Sequence, residues 1–312
     1  MKYSFDSEEW RIMQTKYYEG GKKGKKKKAT IVMCDGVKNH GGLNDRLKGA
    51  LVSYYLSKKN NRKFYIYWDM PFKLEDYLVP NKIDWRISPF EINYQKPQSF
   101  PAIMPSNIHQ FFLKTKIERF IFKSWFASNK ELHVYSNLNI YTEHFPELFN
   151  ELFKPSDALQ NELNKYNFTN KYVSFSFRFQ NLLGDFNDAH GQELNEASKK
   201  ELIEKNVNEF MRYKENVPQD YKIFIASDSK TFLNEIKGKD ERIFVSEESP
   251  TYTDSKIKDE SLYFNHLKTF VDFYLLMRAE KLHLFITDGM HNSGFVYLAA
   301  VLGKKKRIKH YF

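Results

Sequence analysis

The sequence predicts an α/β protein built from two Rossmann-like domains that face one cleft, and three observations carry that expectation. Short runs of β-forming residues alternate with amphipathic helical stretches along nearly the whole chain. The alternation is cleanest in the second half, where every strand is followed by a helix before the next strand begins. A chain of 312 residues that is 41% hydrophobic, with 28 Phe and 20 Tyr, also holds enough apolar material for two ordinary cores. Alternating strands and helices imply parallel sheets covered on both faces, and two such domains gather the loops at their strand carboxyl ends around the cleft.

Ala29 to Cys34 (ATIVMC) reads as a buried strand, followed by a loop through His40-Gly41-Gly42 and a helix from about Asp45 to Ser57. Lys63 to Trp68 (KFYIYW) is the next strand, Asp69 to Pro105 is loop-rich with several prolines, and a helix is expected over 107–128. Glu131 to Ser136 then forms a strand, and Pro146 to Lys165 one or two helices, with Ser156-Asp157 offering a cap between them. In the second half strands are expected at 171–178, 221–226, 242–246, 282–286 and 307–311. The helices between them fall at 196–213, 229–236, 264–280 and 293–302. The domains are accordingly set at 1–28, a basic and partly flexible leader, 29–160, and 161–312.

Composition excludes several classes. Gly (13) and Pro (10) are scarce and aromatics reach 17%, so the chain is neither disordered nor collagen-like. The one cysteine, Cys34, forms no internal disulfide and fits a reducing compartment, which makes the cytoplasm the default. The acidic start MKYSFDSEEW is unlike a secretion signal, and no apolar run reaches the roughly 18 residues of a spanning helix. Half of the net charge of +10 resides in residues 1–28, which hold nine Lys/Arg against four Asp/Glu. The run GGKKGKKKK and the cluster Lys304 to Arg307 with Lys309 suit an anionic membrane face, a nucleic acid or an acidic glycan, or a plain solvated tail.

Three segments carry candidate chemistry. His40-Gly41-Gly42-Leu43-Asn44-Asp45-Arg46 lies between a strand and a helix, where glycines permit close backbone approach and a helix N-terminus offers N–H groups to an anion. It is neither a Walker loop nor a dinucleotide fingerprint, and an ordinary turn with a helix cap fits as well. In Ser174-Phe175-Ser176-Phe177-Arg178-Phe179 the polar residues fall on one side of a strand and the aromatics on the other. This puts a guanidinium at a strand carboxyl end, aimed either at a phosphate or at solvent. Ile286 to Phe295 joins a strand to the last helix, with Ser293 as its cap and the N–H groups of Gly294 and Phe295 open to an anion. Asp228 after the strand YKIFIA and Asp272 within a buried helix are each a capping or core acid, or a ligand group.

Taken in this order, the pieces resemble the fucosyltransferase-like superfamily, which includes nodulation, core α-1,6, protein O- and plant xyloglucan fucosyltransferases. The resemblance rests on GGLNDRL at the first domain, Ser176-Phe177-Arg178 where the family has H-x-R, the Ser227-Asp228 pair, and Ser293-Gly294-Phe295 opening the final helix. It implies a GT-B architecture and an inverting enzyme that takes a GDP-sugar donor and needs no metal or other cofactor. Arg178 would neutralise the departing phosphate, and Ser293, Gly294 and Phe295 would complete the pyrophosphate site. Asp228 and Asp272 would line the guanosine pocket. Gly41, Gly42, Asn44, Arg46 and Ser176 join them as donor-binding candidates, and Asp45 is the candidate base at the acceptor hydroxyl, with Asp185 and Glu193 as rivals. Ser176 replaces the family histidine and Asn44 a small residue, which leaves the donor open between fucose and related deoxy sugars. The implied partners are the GDP-sugar, a glycan or lipid-linked glycan acceptor in bacterial capsule or lipopolysaccharide synthesis, and an anionic membrane face. Nucleic acid is not expected as a partner. A nucleic-acid-binding protein and a non-catalytic relative of the same fold are the competing classes.

Overall fold

The computed structural model describes residues 8–19, 28–38, 40–95, 98–104, 123–166, 171–186, 192–247 and 258–312. The chain divides into two compact units, one of residues 1–154 with 254–258 and the other of 155–253 with 259–312.

In the first unit, strands β1 (Ala29–Cys34), β2 (Lys63–Trp68), β4 (Ser99–Met104) and β5 (Glu131–Ser136) form a parallel sheet in the order β2-β1-β5-β4. The inner strand β1 is buried at all six positions, which is why it reads as an unbroken apolar run. The outer strand β2 alternates instead, because only one of its faces is fully covered. Helix α2 (Leu43–Lys59) lies so close to the sheet that a Cβ on Gly49 would sit 1.9 Å from the Ser136 carbonyl oxygen. A short pair, β3 (Leu78–Pro80) and β6 (Phe153–Pro155), is set apart from this sheet.

Residues 8–19 of the basic leader pack into the first unit. Residues Glu8–Gln14 form helix α1, which a π-helical turn extends to Glu19, and Met13 and Tyr17 are core side chains packed with Ile31, Met33, Ile92, Tyr94 and Tyr135. The Tyr17 hydroxyl meets His133 Nδ1 at 2.6 Å, and His133 Nε2 lies 3.0 Å from Glu131. The lysines at 22, 23 and 25–27 lie outside the described residues, as does the helix expected over 107–128 except for a helical stretch at 123–127.

Helix α3 (Phe145–Leu152) closes the first unit, and the division falls between Lys154 and Pro155, ahead of the expected boundary at 160. The reason is local: Ser156 Oγ accepts from the Leu159 N–H at 3.2 Å and starts α4 (Asp157–Asn164), whose buried Leu159 and Leu163 pack with the second unit's helix α7 (Tyr263–Arg278).

The second unit holds strands β7 (Tyr172–Phe177), β8 (Lys222–Ser227), β9 (Ile243–Phe244), β10 (Lys281–Ile286) and β11 (Lys306–Tyr311). All are parallel, in the order β11-β10-β7-β8-β9. Chain order therefore reverses between β7 and β10, and the crevice at their carboxyl ends is the switch point where doubly wound sheets bind ligands. Helices α5 (Glu196–Lys214), α6 (Lys230–Ile236), α7 and α8 (Gly294–Leu302) complete the unit. Phe175, Phe177 and Phe179 enter one core with Phe210, Phe232 and Phe285. Ser174 and Ser176, on the other face of β7, are buried as well.

Candidate active site

The carboxyl edge of the second sheet collects most of the candidate residues. Arg178 follows the last residue of β7, and its Nη1 lies 2.8 Å from Asp228 Oδ2 just past β8. The guanidinium also stacks over the Phe186 ring at 4.5 Å, while 22% of its side chain reaches solvent. Asp228 accepts the backbone N–H groups of Phe179 at 2.9 Å and Gln180 at 2.8 Å, so one carboxylate fixes both the arginine and the loop behind it. Burial holds the Asp228 carboxyl above its ordinary range, against the opposing pull of Arg178 and the two N–H groups. Placed beside Arg178 in this way, Asp228 is a positioning group for the guanidinium.

The loop after β10 meets the same point, because the His291 N–H donates to the Arg178 carbonyl at 3.0 Å. The chain turns sharply there, with Gly289 at φ +84°. Ser293 caps α8 through the Val296 N–H at 3.4 Å, Gly294 opens that helix, and the Phe295 ring packs on Phe273 at 5.1 Å. Ser176 Oγ is buried on β7 with no hydrogen-bond partner among the described residues. The loop leading into α8 is thus tied to the backbone of Arg178, whose side chain is paired with a buried carboxylate.

Asp272, on α7, has partners of its own. It pairs with Lys268 Nζ at 2.6 Å and accepts a short hydrogen bond from Ser246 Oγ, which in turn accepts from Lys268 at 2.8 Å. Lys268 and Ser246 did not stand out in the sequence, since an i,i+4 Lys-Asp pair reads as a solvated helix face until burial is known.

In the first unit the loop before α2 is a built turn. Gly41 adopts φ +71°, where a Cβ would stand 2.6 Å from the Asp45 carboxylate, and Gly42 is the N-cap of α2. Arg46 is fully buried, donating to the Gly41 carbonyl at 2.8 Å and to the Met70 carbonyl while stacking on Trp68, so it holds the loop in place. Asp45 pairs with Lys48 at 2.8 Å and accepts from Asn44 Nδ2 at 3.2 Å. The other base candidates are engaged too. Asp185 accepts from Ser229 Oγ at 2.9 Å and from the Thr231 N–H at 2.7 Å, and Glu193 pairs with Lys199 at 2.5 Å.

A second polar cluster forms at the carboxyl ends of β1 and β5, the switch point of the first sheet. Asp35 lies 2.8 Å from Lys16 Nζ and accepts from the Tyr135 hydroxyl at 3.1 Å and the Val37 N–H at 3.2 Å. His40 Nε2 is 3.7 Å from its carboxylate, and the imidazole stacks on Tyr135 with the rings 15° apart. Burial works to raise the Asp35 carboxyl, yet His40 and Lys16 beside it hold it well below the usual carboxylate range.

No group of three or more His, Cys, Asp or Glu among the described residues is arranged to hold a metal ion, and no described helix is long and apolar enough to cross a membrane. A cavity of about 620 Å³ between α5 and α6 is lined by mixed charges, including Lys199, Lys239, Glu196 and Glu235.

No protein-family model matches the sequence, and no curated protein matches it either. Solved structures do match its fold. NodZ alpha-1,6-fucosyltransferase soaked with GDP-fucose aligns with a TM-score of 0.56 at 15% identity, covering 88% of this chain and 93% of its own. Fucosyltransferase NodZ from Bradyrhizobium aligns at 0.55 and 14%, over 88% and 94%. A mutant of Arabidopsis thaliana FUT1 in complex with GDP aligns at 0.57 and 11%, over 97% of this chain and 75% of its own. The chain thus has the two-unit α/β fold, GT-B in class, of the fucosyltransferase-like enzymes.

Proposed function

We propose that this chain is an inverting, metal-independent glycosyltransferase that moves a fucose-like sugar from a GDP-sugar to a glycan acceptor. The observation that carries the proposal is the Arg178–Asp228 pair at the β7/β10 switch point, where the loop leading into α8 bonds back to Arg178 through the His291 N–H. Loss of a nucleoside diphosphate builds negative charge on the departing oxygen, and a guanidinium fixed by a buried carboxylate meets that charge without reorganising. The N–H groups at the start of α8 add a dipole of the matching sign, so the chain's own residues supply stabilisation that a divalent ion gives elsewhere. Two of the solved neighbours named above, the NodZ enzyme soaked with GDP-fucose and the FUT1 mutant in complex with GDP, favour a guanosine donor over other nucleotides.

In this reading Ser176, Ser293, Gly294 and Phe295 border the diphosphate and Asp272 lies on the nucleoside side. Gly41, Gly42, Asn44 and Arg46 shape the loop before α2 in the first unit and are carried as donor-binding candidates. Arg46 and Asp228 act through position, since the carbonyls and the guanidinium they hold are what a ligand would meet. The acceptor is a glycan or lipid-linked glycan of bacterial surface polysaccharide synthesis. The protein works in the cytoplasm, with its lysine-rich stretch against an anionic membrane face.

Calorimetric titration with GDP, UDP, CDP and ADP, each in EDTA and in magnesium, tests the donor and the metal together. Selective GDP binding in EDTA is the expected result, and binding that requires magnesium or ignores the base overturns the proposal.

A further inference from the structure

Several lysines of the second unit are neutralised: Lys199, Lys205, Lys214, Lys239 and Lys268 each meet a carboxylate at 2.5–2.9 Å. The amino ends of β10 and β11 differ. Two turns touch there, the one after α7 and the one after α8, so closely that a Cβ on Gly303 would stand 2.2 Å from the Met277 carbonyl oxygen. Together they carry Arg278, Lys281, Lys304, Lys305 and Lys306 against one carboxylate, Glu280, which lies 3.7 Å from Lys305. Arg278, Lys281, Lys304 and Lys306 are exposed and have no carboxylate partner among the described residues. Lys281 and Lys306 are direct partners in the β10–β11 register, so like charges stand opposite one another.

We propose that this corner of the second unit is a docking surface for an anionic lipid bilayer. The inference rests on the membrane-facing reading above and places a contact on a folded element rather than on the lysine-rich stretch alone. Local structure accounts for part of the charge. Lys304 and Lys305 follow the C-terminus of α8 and Arg278 ends α7, where cations complement a helix dipole. That reason does not extend to Lys281 and Lys306, which open strands. A cross-strand lysine pair without a counter-charge is a place where a layer of anions relieves repulsion within the fold as it binds.

Three features favour a headgroup layer over other anions. Four of the five cations are lysines, hydrated point charges on flexible stems that suit diffuse charge, whereas a single phosphate is better held by the fork of an arginine. None of the exposed large hydrophobic side chains among the described residues lies on these turns, so the bases of a nucleic acid would find no open ring to stack on. β11 is the outermost strand of its sheet, so no further described strand overhangs the corner. The placement also suits the donor reading. β10 runs from Lys281 to Ile286, which leaves roughly 17 Å of strand between the corner and the carboxyl edge that bears Arg178. That length is about two screening lengths at physiological salt, so an anionic sugar nucleotide reaches its site outside the negative potential of the lipid surface.

The test is co-sedimentation of the full chain with phosphatidylcholine vesicles, with and without phosphatidylglycerol, at low and raised salt. Wild type should bind only the vesicles that hold phosphatidylglycerol, and more weakly as salt rises. Lys281→Gln, Lys304→Gln and Lys306→Gln combined should lower the partition coefficient about a hundredfold, roughly fivefold for each charge removed, with an unchanged circular dichroism spectrum. A folded combined variant that binds as wild type does overturns the surface and leaves the membrane reading to the lysine-rich stretch. Wild type that ignores both kinds of vesicle overturns the surface and the membrane reading together. A variant that loses binding to duplex or single-stranded nucleic acid while holding vesicles normally assigns the corner to nucleic acid and overturns the bilayer. If the variant does not fold, labelling of wild type with an amine-reactive reagent decides: vesicles should protect Lys281, Lys304 and Lys306, and equal labelling with and without them overturns the proposal.

Discussion

Arg178 and Asp228 are joined across the carboxyl edges of β7 and β8 at 2.8 Å, and the same carboxylate holds the two backbone N–H groups that follow the arginine. The relationship is unequal: Asp228 is buried, whereas the guanidinium keeps an edge in solvent. The pair is therefore a mount for one exposed cation, and its two halves should fail differently.

Removing the cation should cost catalysis. Arg178→Ala is expected to lower kcat by at least about 2 kcal/mol of transition-state stabilisation, roughly thirtyfold, with a smaller effect on the unfolding midpoint. Steady-state kinetics beside a thermal melt checks this, and a folded variant with a near-normal rate removes Arg178 from the chemistry.

Removing the mount should cost both properties. Asp228→Asn keeps an oxygen for one backbone N–H but drops the charge, so stability should fall by about 1–3 kcal/mol and turnover by about tenfold. Urea unfolding and kinetics on the same preparation measure the two effects. A fall in stability with full turnover would mean that Asp228 holds the loop alone.

A methyl group at position 49 should unseat a helix. With 1.9 Å between an added Cβ and the Ser136 carbonyl oxygen, Gly49→Ala forces α2 away from the sheet and should destabilise the first unit by about 2–3 kcal/mol. A midpoint within error of wild type in chemical denaturation would contradict the close approach.

Acid should loosen the second unit through a pair of histidines. His283 Nδ1 lies 2.9 Å from His310 Nε2 with the rings stacked, and burial holds both imidazoles below their ordinary range, His283 at about 4. Below about 6.5 the unfolded chain binds protons that the folded chain refuses, so stability is lost as pH falls from there toward 4. The loss should be about 2 kcal/mol and should shrink in His283→Phe. Urea midpoints at pH 7.5 and 4.5 compare the two proteins, and equal losses would exclude the pair as the cause.

Much of the fold was legible because its strands and helices differ in period. β1, β2, β5 and the second-unit strands read directly from runs or alternation of apolar residues, and the caps at Ser156, Ser229 and Ser293 lie where the sequence suggests starts. β4 stayed hidden in a proline-bearing stretch, since Pro101 argues against a strand. It is tolerated because, among the described residues, β4 is the edge of its sheet and pairs with β5 alone. Helix α1 stayed hidden because charge dominates the leader's composition, while the burial of Met13 and Tyr17 depends on a sheet face formed by residues far downstream. The site was legible to the same degree. Arg178 and Ser293 follow from their positions at element ends, but the pairings of Asp228 and Asp272, and of Asp35 with His40, join side chains from separate segments or depend on burial that no spacing rule encodes.

The contact between Tyr17 and His133 spans 116 residues of chain, and it ties the first described helix to the last strand of the first sheet. Loop-closure entropy makes a contact of that separation late and slow to form. A chain emerging from the ribosome must therefore hold α1 in reserve until β5 exists, with the face bearing Ile31 and Met33 uncovered in the meantime. The first unit should consequently be the part of this protein that leans on chaperones during synthesis.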